Sequence, residues 1–346
     1  MPRNLSLASA LKQAGIIDQA QALKLQQNDT PWWLQVILGI AAWIASILIL
    51  IAFIGPIIAL AENDSVCFVV GALLLGAACW LAMQRQDFLQ QMSTAVALAG
   101  QGLLVYAIYS AFNSDDELAR YGCALISAVL LFSPLTQLHQ RVSLSIGLVC
   151  LISLLNSSLW LALGSNLLAL GCLVLWCSRP KWATLAMASR IKSVLEVVTL
   201  ATLWLALHGQ GIFYVDDYYW PADHLYMAST LYSALGAILL LSTVFWLSRF
   251  ATVPSRLLLL SVTAALCVLL YPASGLLISA AFMLACFYAC SIRWYALSLL
   301  SVLVALSQFY YSMHLSLFYK SGLLALSGGV LLVGLALLQR YQKRLL

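Results

Sequence analysis

The chain has 346 residues, of which 63% are hydrophobic and only 8% charged, with a formal net charge of +5. A soluble domain carries roughly a quarter charged residues, and no water-soluble fold of this size hides so much apolar surface, because surface grows too fast relative to volume. The basic excess is modest and contains no run long enough for a nucleic-acid surface, so the composition points to a chain solvated by lipid.

Residues 1–31 read as a short cytoplasmic helical hairpin. Leu5 to Ala14 forms one helix, ended by Gly15, which can take the left-handed conformation at a helix C-terminus. Asp18-Gln19-Ala20-Gln21 is a variant capping box that opens a second helix, with Ile17 as its hydrophobic staple. No apolar core of signal-peptide length precedes the first long span, which therefore acts as an uncleaved anchor. Pro31-Trp32-Trp33 marks the membrane interface, where indole rings prefer to sit.

From there the apolar stretches follow one another, bounded by charges. A transmembrane helix needs about 20 mostly apolar residues. Candidate spans are 33–55, 66–83, 92–112, 119–137, 142–157, 160–177, 194–212, 227–248, 257–271, 273–291, 295–313 and 321–339. Three long apolar stretches are split into hairpins. Asn156-Ser157-Ser158 turns the first, Pro272-Ala273-Ser274-Gly275 the second, and the third breaks near residues 310–320. The expected fold is all-α: a polytopic transmembrane bundle of about twelve helices over residues 32–340, followed by a basic tail at 341–346.

Charge placement supports this count, because cytoplasmic loops collect Lys and Arg. With the N-terminus inside, every basic residue except Arg120 and Lys320 falls on the cytoplasmic side, 15 of 17. Of the 12 acids, 8 fall outside, among them Glu62, Asp64, Asp115 and Asp216. A miscount by one helix would scramble this alternation. Both termini are expected to be cytoplasmic.

Ionisable groups within a bilayer usually have a reason to be there. Glu196 lies just inside the seventh span, four residues after Lys192. An ion pair with Lys192 on one helix face is the plain reading, and a proton-carrying or cation-coordinating carboxylate the sharper one. Lys320 sits at the outer end of the last span, near Tyr310, Tyr311, His314 and Tyr319. Snorkelling to the headgroups explains it simply, while a polar cluster binding an anionic group or a partner is the functional alternative. The outer loop from Tyr214 to His224 carries Asp216, Asp217, Tyr218, Tyr219, Trp220 and Asp223. It reads as an aromatic belt with solvated acids, or as a docking surface for a membrane partner. The acids match no calcium loop.

Small residues at spacing four, Ala41/Ala45 and Gly275/Ser279, permit close helix packing, as do Gly328 and Gly329. The nine cysteines all fall in apolar stretches without a C-x-x-C pair and serve packing. For Cys286 and Cys290, four apart, the alternative is a metal or redox role. The four histidines show no ligand spacing. Walker A, G-x-G-x-x-G, H-E-x-x-H and G-x-S-x-G signatures are absent, so the sequence implies no cofactor, metal or catalytic residue.

Two stretches carry a resemblance. One runs from Pro31-Trp32-Trp33-Leu34 into Gly39-Ile40-Ala41-Ala42-Trp43-Ile44, with the Gly15-Ile16-Ile17 turn before it. The other is Phe309-Tyr310-Tyr311-Ser312-Met313-His314 through Leu317-Phe318-Tyr319-Lys320-Ser321 and Gly328-Gly329. Together they resemble a family of bacterial inner-membrane proteins called domain of unknown function 4401. The resemblance carries no activity. It implies a partner: a membrane-anchored protein bearing a Gly-Asp-Tyr-X-X-Leu-X-Tyr motif, encoded beside members of the family. A membrane scaffold acting through that partner is the first functional expectation, a secondary transporter or channel-like protein the second, and a membrane-embedded enzyme the third.

Overall fold

The computed structural model of the chain describes residues 64–84, 86–112, 115–155, 157–212, 225–312 and 317–345, together with Gly15, Asp18 and eight positions between 37 and 51. Among the described residues there is helix and no strand. The chain divides into two compact units, residues 1–107 with 134–136, and residues 108–133 with 137–346.

The first unit holds α1 (Asp64–Ala82) and most of α2 (Asp87–Ala111). Its described positions between 37 and 51 are helical and place Ile37, Ile40, Ile44, Ile47, Leu48 and Ile51 on the surface. Such an apolar outer stripe belongs in hydrocarbon. Ala41 is exposed and Ala45 half-buried on that helix. Gly15 has φ +68°, the left-handed turn expected of it; the helices expected on either side of it lie outside the described residues. Gly71 of α1 and Gly100 of α2 meet backbone to backbone. A Cβ built on Gly100 would stand 2.9 Å from the carbonyl oxygen of Gly71, and one on Gly71 would stand 3.0 Å from that of Gly100. The Thr94 and Thr136 hydroxyls share a hydrogen bond of 2.8 Å in the same unit.

The second unit continues with α3 (Asp116–Leu130), α4 (Gln137–Ser153), α5 (Ser158–Cys177), the single turn α6 (Arg179–Trp182), and α7 (Ala188–Ile212). It ends with α8 (Leu225–Leu247), α9 (Val253–Leu269), α10 (Ser274–Tyr288), α11 (Ile292–Ser312) and α12 (Leu317–Leu345). The starts have local causes. Asp115 caps α3, accepting from the backbone N–H of Glu117 at 2.9 Å. Ser157 caps α5, accepting from Trp160 at 3.3 Å, so the expected hairpin turn is there, with Asn156 outside the described residues. Helix α3 stops at Leu130 rather than near 137, because Pro134 has no N–H to donate to the Leu130 carbonyl and disfavours helical geometry at Ser133. The chain also turns at 270–273 and breaks between Ser312 and Leu317, as the sequence predicts. Helix α12 runs on through Leu345, into the expected basic tail.

Among the described residues, seven helices are long and apolar enough to cross a membrane, 18 to 25 residues each. Helices α3, α4, α9 and α10 are shorter, at 15, 17, 17 and 15 residues. At 1.5 Å per residue these reach about 22–26 Å, less than the roughly 30 Å of a hydrocarbon core.

Helix α10 is the centre of the second unit. It touches α5, α7, α8 and α11, and ten of its fifteen residues are buried. A helix that is apolar all round is expected inside rather than on a surface. Phe282, Leu277, Ile278, Ala281, Ala285 and Cys286 pack there against Phe309, Ala305, Tyr232 and Trp176. Several polar side chains in this core pair with one another. Ser279 and Ser301 join α10 to α11 through a 2.8 Å hydrogen bond, and Thr199 accepts from the Trp176 indole at 2.9 Å. Because a serine hydroxyl in lipid can also bond back to its own helix, Ser301→Ala is expected to cost only about 0.6 kcal/mol, measured by unfolding in mixed micelles.

Candidate functional site

Most of the basic side chains of the second unit gather at one end of its helices. Arg190, at the start of α7, donates to the carbonyl of Phe132 beyond the end of α3, at 3.3 Å. Arg179 in α6 donates to the carbonyl of Ala289, the residue that closes α10. That cation satisfies an orphan carbonyl and complements the negative end of the helix dipole. Arg249 lies over the Trp246 ring, 3.9 Å from its centroid. Arg120, by contrast, reaches the carbonyl of Ser153 at the other end of α4, at 3.2 Å.

Glu196 belongs to the basic end. Its partner is Arg141 of α4, with nitrogen and oxygen 2.8 Å apart, rather than Lys192 in its own helix. The Glu196 side chain is 16% exposed and that of Arg141 35%, so the pair ties α4 to α7 at the edge of the packed region. Arg141 Nε is itself buried without a hydrogen-bond partner among the described residues.

On the neighbouring face of α7 lies a cavity of about 300 Å³. Trp176, Trp182 and Trp294 line it, and Arg179, Lys192 and Arg293 bring three cations and Glu196 one carboxylate to it. The Trp176 indole N–H is held by Thr199 and that of Trp182 by the carbonyl of Leu175 at 2.8 Å. Both rings are thereby fixed, and they serve as walls rather than donors. Trp176 and Trp294 contact each other with centroids 6.3 Å apart.

The other predicted site residues lie elsewhere. Tyr310 and Tyr311 form an edge-on pair 5.1 Å between centroids, with Tyr311 exposed. They stand at the far end of α11 from Arg293, about 27 Å along the axis, so the structure does not join them to Glu196. Tyr319 and Lys320 occupy the first turn of α12 by backbone; their side chains, and His314 altogether, lie outside the described residues. So does the loop carrying Tyr214, Asp216, Asp217, Tyr218, Tyr219, Trp220 and Asp223.

Two small-scale expectations change. Cys286 is buried, whereas Cys290 is exposed and left-handed at φ +52°, one residue past the close of α10, so the two do not share a helix face. Among the described residues no group of three or more metal-ligating side chains forms. An added Cβ on Gly328 or Gly329 would meet nothing within 4 Å, so neither serves a close helix contact among the described residues.

The sequence profile of the family described as Domain of unknown function (DUF4401) matches residues 31–341. The chain belongs to this family. Neither a curated protein nor a solved structure matches it. In this family member the matched region contains the cavity, the Arg141–Glu196 pair and both tyrosines. Glu196 and Lys192 stand out in the sequence, but the other cavity residues and Arg141 do not. Their only trace in the sequence is the recurrence of Trp beside cations at 176–182 and 293–294, which reads equally as interfacial anchoring.

Proposed function

We propose that the chain is a multi-pass protein of a bacterial inner membrane, with about twelve spans and both termini cytoplasmic, that acts as a scaffold for a partner rather than as a carrier. The observation that supports a scaffold is the filled centre of the second unit. Carriers bind substrate near the bilayer midplane between broken helices, whereas α10 is continuous there and packed on four sides. The gathering of Arg141, Arg179, Arg190, Lys192 and Arg293 at one end, with Arg120 at the other, supports the orientation. In this reading the short helices α3, α4, α9 and α10 count as spans too, and in α10 the packing of neighbours over most of its length makes up for the shortness. The partner proposed is the membrane-anchored protein of the Gly-Asp-Tyr-X-X-Leu-X-Tyr type, docking on the outer loop at Tyr214, Asp216, Asp217, Tyr218, Tyr219, Trp220 and Asp223 and on Tyr310, Tyr311, His314, Tyr319 and Lys320. Co-purification at native expression tests this: recovery of the chain always alone counts against it.

Orientation has a direct check in Cys290, which is exposed in the turn between α10 and α11 at the basic end. A membrane-impermeant maleimide is expected to label Cys290 in inverted vesicles and not in intact spheroplasts, while Cys172 and Cys286, both buried, stay unmodified. Labelling in the opposite preparation would reverse the topology.

A second reading, a secondary transporter, is favoured by one observation: the Arg141–Glu196 pair borders on helices that also line an apolar groove of about 570 Å³ with Val197, Leu200 and Trp204. It requires that Glu196→Gln abolish solute uptake into proteoliposomes.

A further inference from the structure

We propose that the tryptophan-walled cavity at the basic end is a binding site for a phosphate-bearing anion. Arg179, Lys192 and Arg293 come from three separate segments, α6, α7 and α11, and converge on one concavity. Among the described residues no carboxylate forms an ion pair with any of the three, and Glu196, which also lines the cavity, is paired with Arg141. The Glu196 charge is thus answered from the α4 side, and the cavity keeps an excess of positive charge. Arg179 is held in place by the carbonyl of Ala289, which leaves the rest of its guanidinium fork to an anion. Planar forks and an ammonium together suit phosphate oxygens better than a single carboxylate.

The walls agree with this assignment. Lys192 and Arg293 are themselves exposed and Arg179 is half-buried, but the surface between them is made of rigid indole faces, Trp182 being buried and Trp176 almost fully so. Low polarity around a charged group strengthens its attraction for an anion. The volume of about 300 Å³ lies at the small end of ligand pockets, which fits a headgroup or a small phosphate compound rather than a whole nucleotide cofactor. Basic pockets between membrane helices on the cytoplasmic side are natural receptors for anionic headgroups. The inference needs neither the scaffold nor the carrier reading.

The test uses the full chain, purified in detergent and stripped of lipid. Tryptophan fluorescence is followed while sodium pyrophosphate, dihexanoyl phosphatidic acid or dihexanoyl phosphatidylcholine is added. A saturable change is expected with one or both anions and not with the zwitterion. A response to both assigns the site to phosphate as such, and a response to phosphatidic acid alone assigns it to a lipid headgroup. Lys192→Gln/Arg293→Gln is expected to weaken binding at least tenfold, whereas Arg256→Gln, away from the cavity, binds as the parent does. Ala183→Trp, which fills the cavity mouth without removing a charge, should weaken binding too. The proposal is overturned if neither anion gives a saturable response, or if the folded double variant and Ala183→Trp both titrate like the parent.

Discussion

Gly100→Ala is expected to destabilise the chain by about 1–3 kcal/mol, the usual cost of overpacking, although alanine is the better helix former by about 1 kcal/mol. The cause is the close approach of α1 and α2. A Cβ at residue 100 falls 2.9 Å from the Gly71 carbonyl oxygen and 3.1 Å from side-chain atoms of Leu74 and Leu75. The nearest obstacle is backbone, which cannot rotate aside, so the helices themselves must part. In lipid no hydrophobic force compensates, because the tails are as apolar as the side chains, and association rests on contact at short range. Gly102 lies on the same helix but an added Cβ there meets nothing within 4 Å. Gly102→Ala is therefore expected to be neutral or to stabilise by a few tenths of a kcal/mol. Gly71→Ala should match Gly100→Ala. Joining the two should cost less than their sum, since either methyl alone opens the same contact. Unfolding in mixed micelles checks all four. Gly100→Ala at least as stable as Gly102→Ala would contradict the contact.

The sequence makes the helices legible and their partners largely illegible, and both facts have the same origin. An apolar run bounded by charges has few fates other than a helix in lipid, and Ser157 and the 272–275 turn end such runs through local chemistry. Which faces meet is a property of rotation and tilt, to which composition is nearly blind. Gly71, Gly100 and Gly102 look alike in the sequence, yet only the first two touch a neighbouring backbone. Glu196 shows the limit again. Lys192 is nearest to it in the chain, but a lysine N-terminal to a glutamate at this spacing is the weaker arrangement. Arg141, 55 positions earlier, makes the pair once α4 and α7 pack. The cavity was hidden for the same reason, since Arg179, Lys192 and Arg293 become a cluster only when three helix ends converge. Length was a further trap. Helix α10 has only 15 residues, and nothing in its composition reveals that four neighbouring helices would enclose it.

The Arg141–Glu196 pair yields the second large effect and separates the two functional readings. Breaking a fully buried ion pair from one side costs about 3–5 kcal/mol, and breaking an exposed one about 0–1. With Glu196 at 16% exposure and Arg141 at 35%, Arg141→Met is expected to cost about 2 kcal/mol, since it strands the less accessible charge. Glu196→Gln should cost about half as much, because the long arginine side chain can swing its guanidinium toward interfacial water and the amide oxygen can still accept from it. Arg141→Met/Glu196→Met should recover much of the loss, as apolar replacements of buried pairs do. The order of the three variants in micellar unfolding is the check, and equal losses for the two single substitutions would mean the pair is effectively solvated. If the pair is only a clamp between α4 and α7, the double variant keeps partner binding along with stability. If Glu196 carries a proton or coordinates a cation, Glu196→Gln stops uptake while costing little stability, and restoring the packing with methionine does not restore the flux.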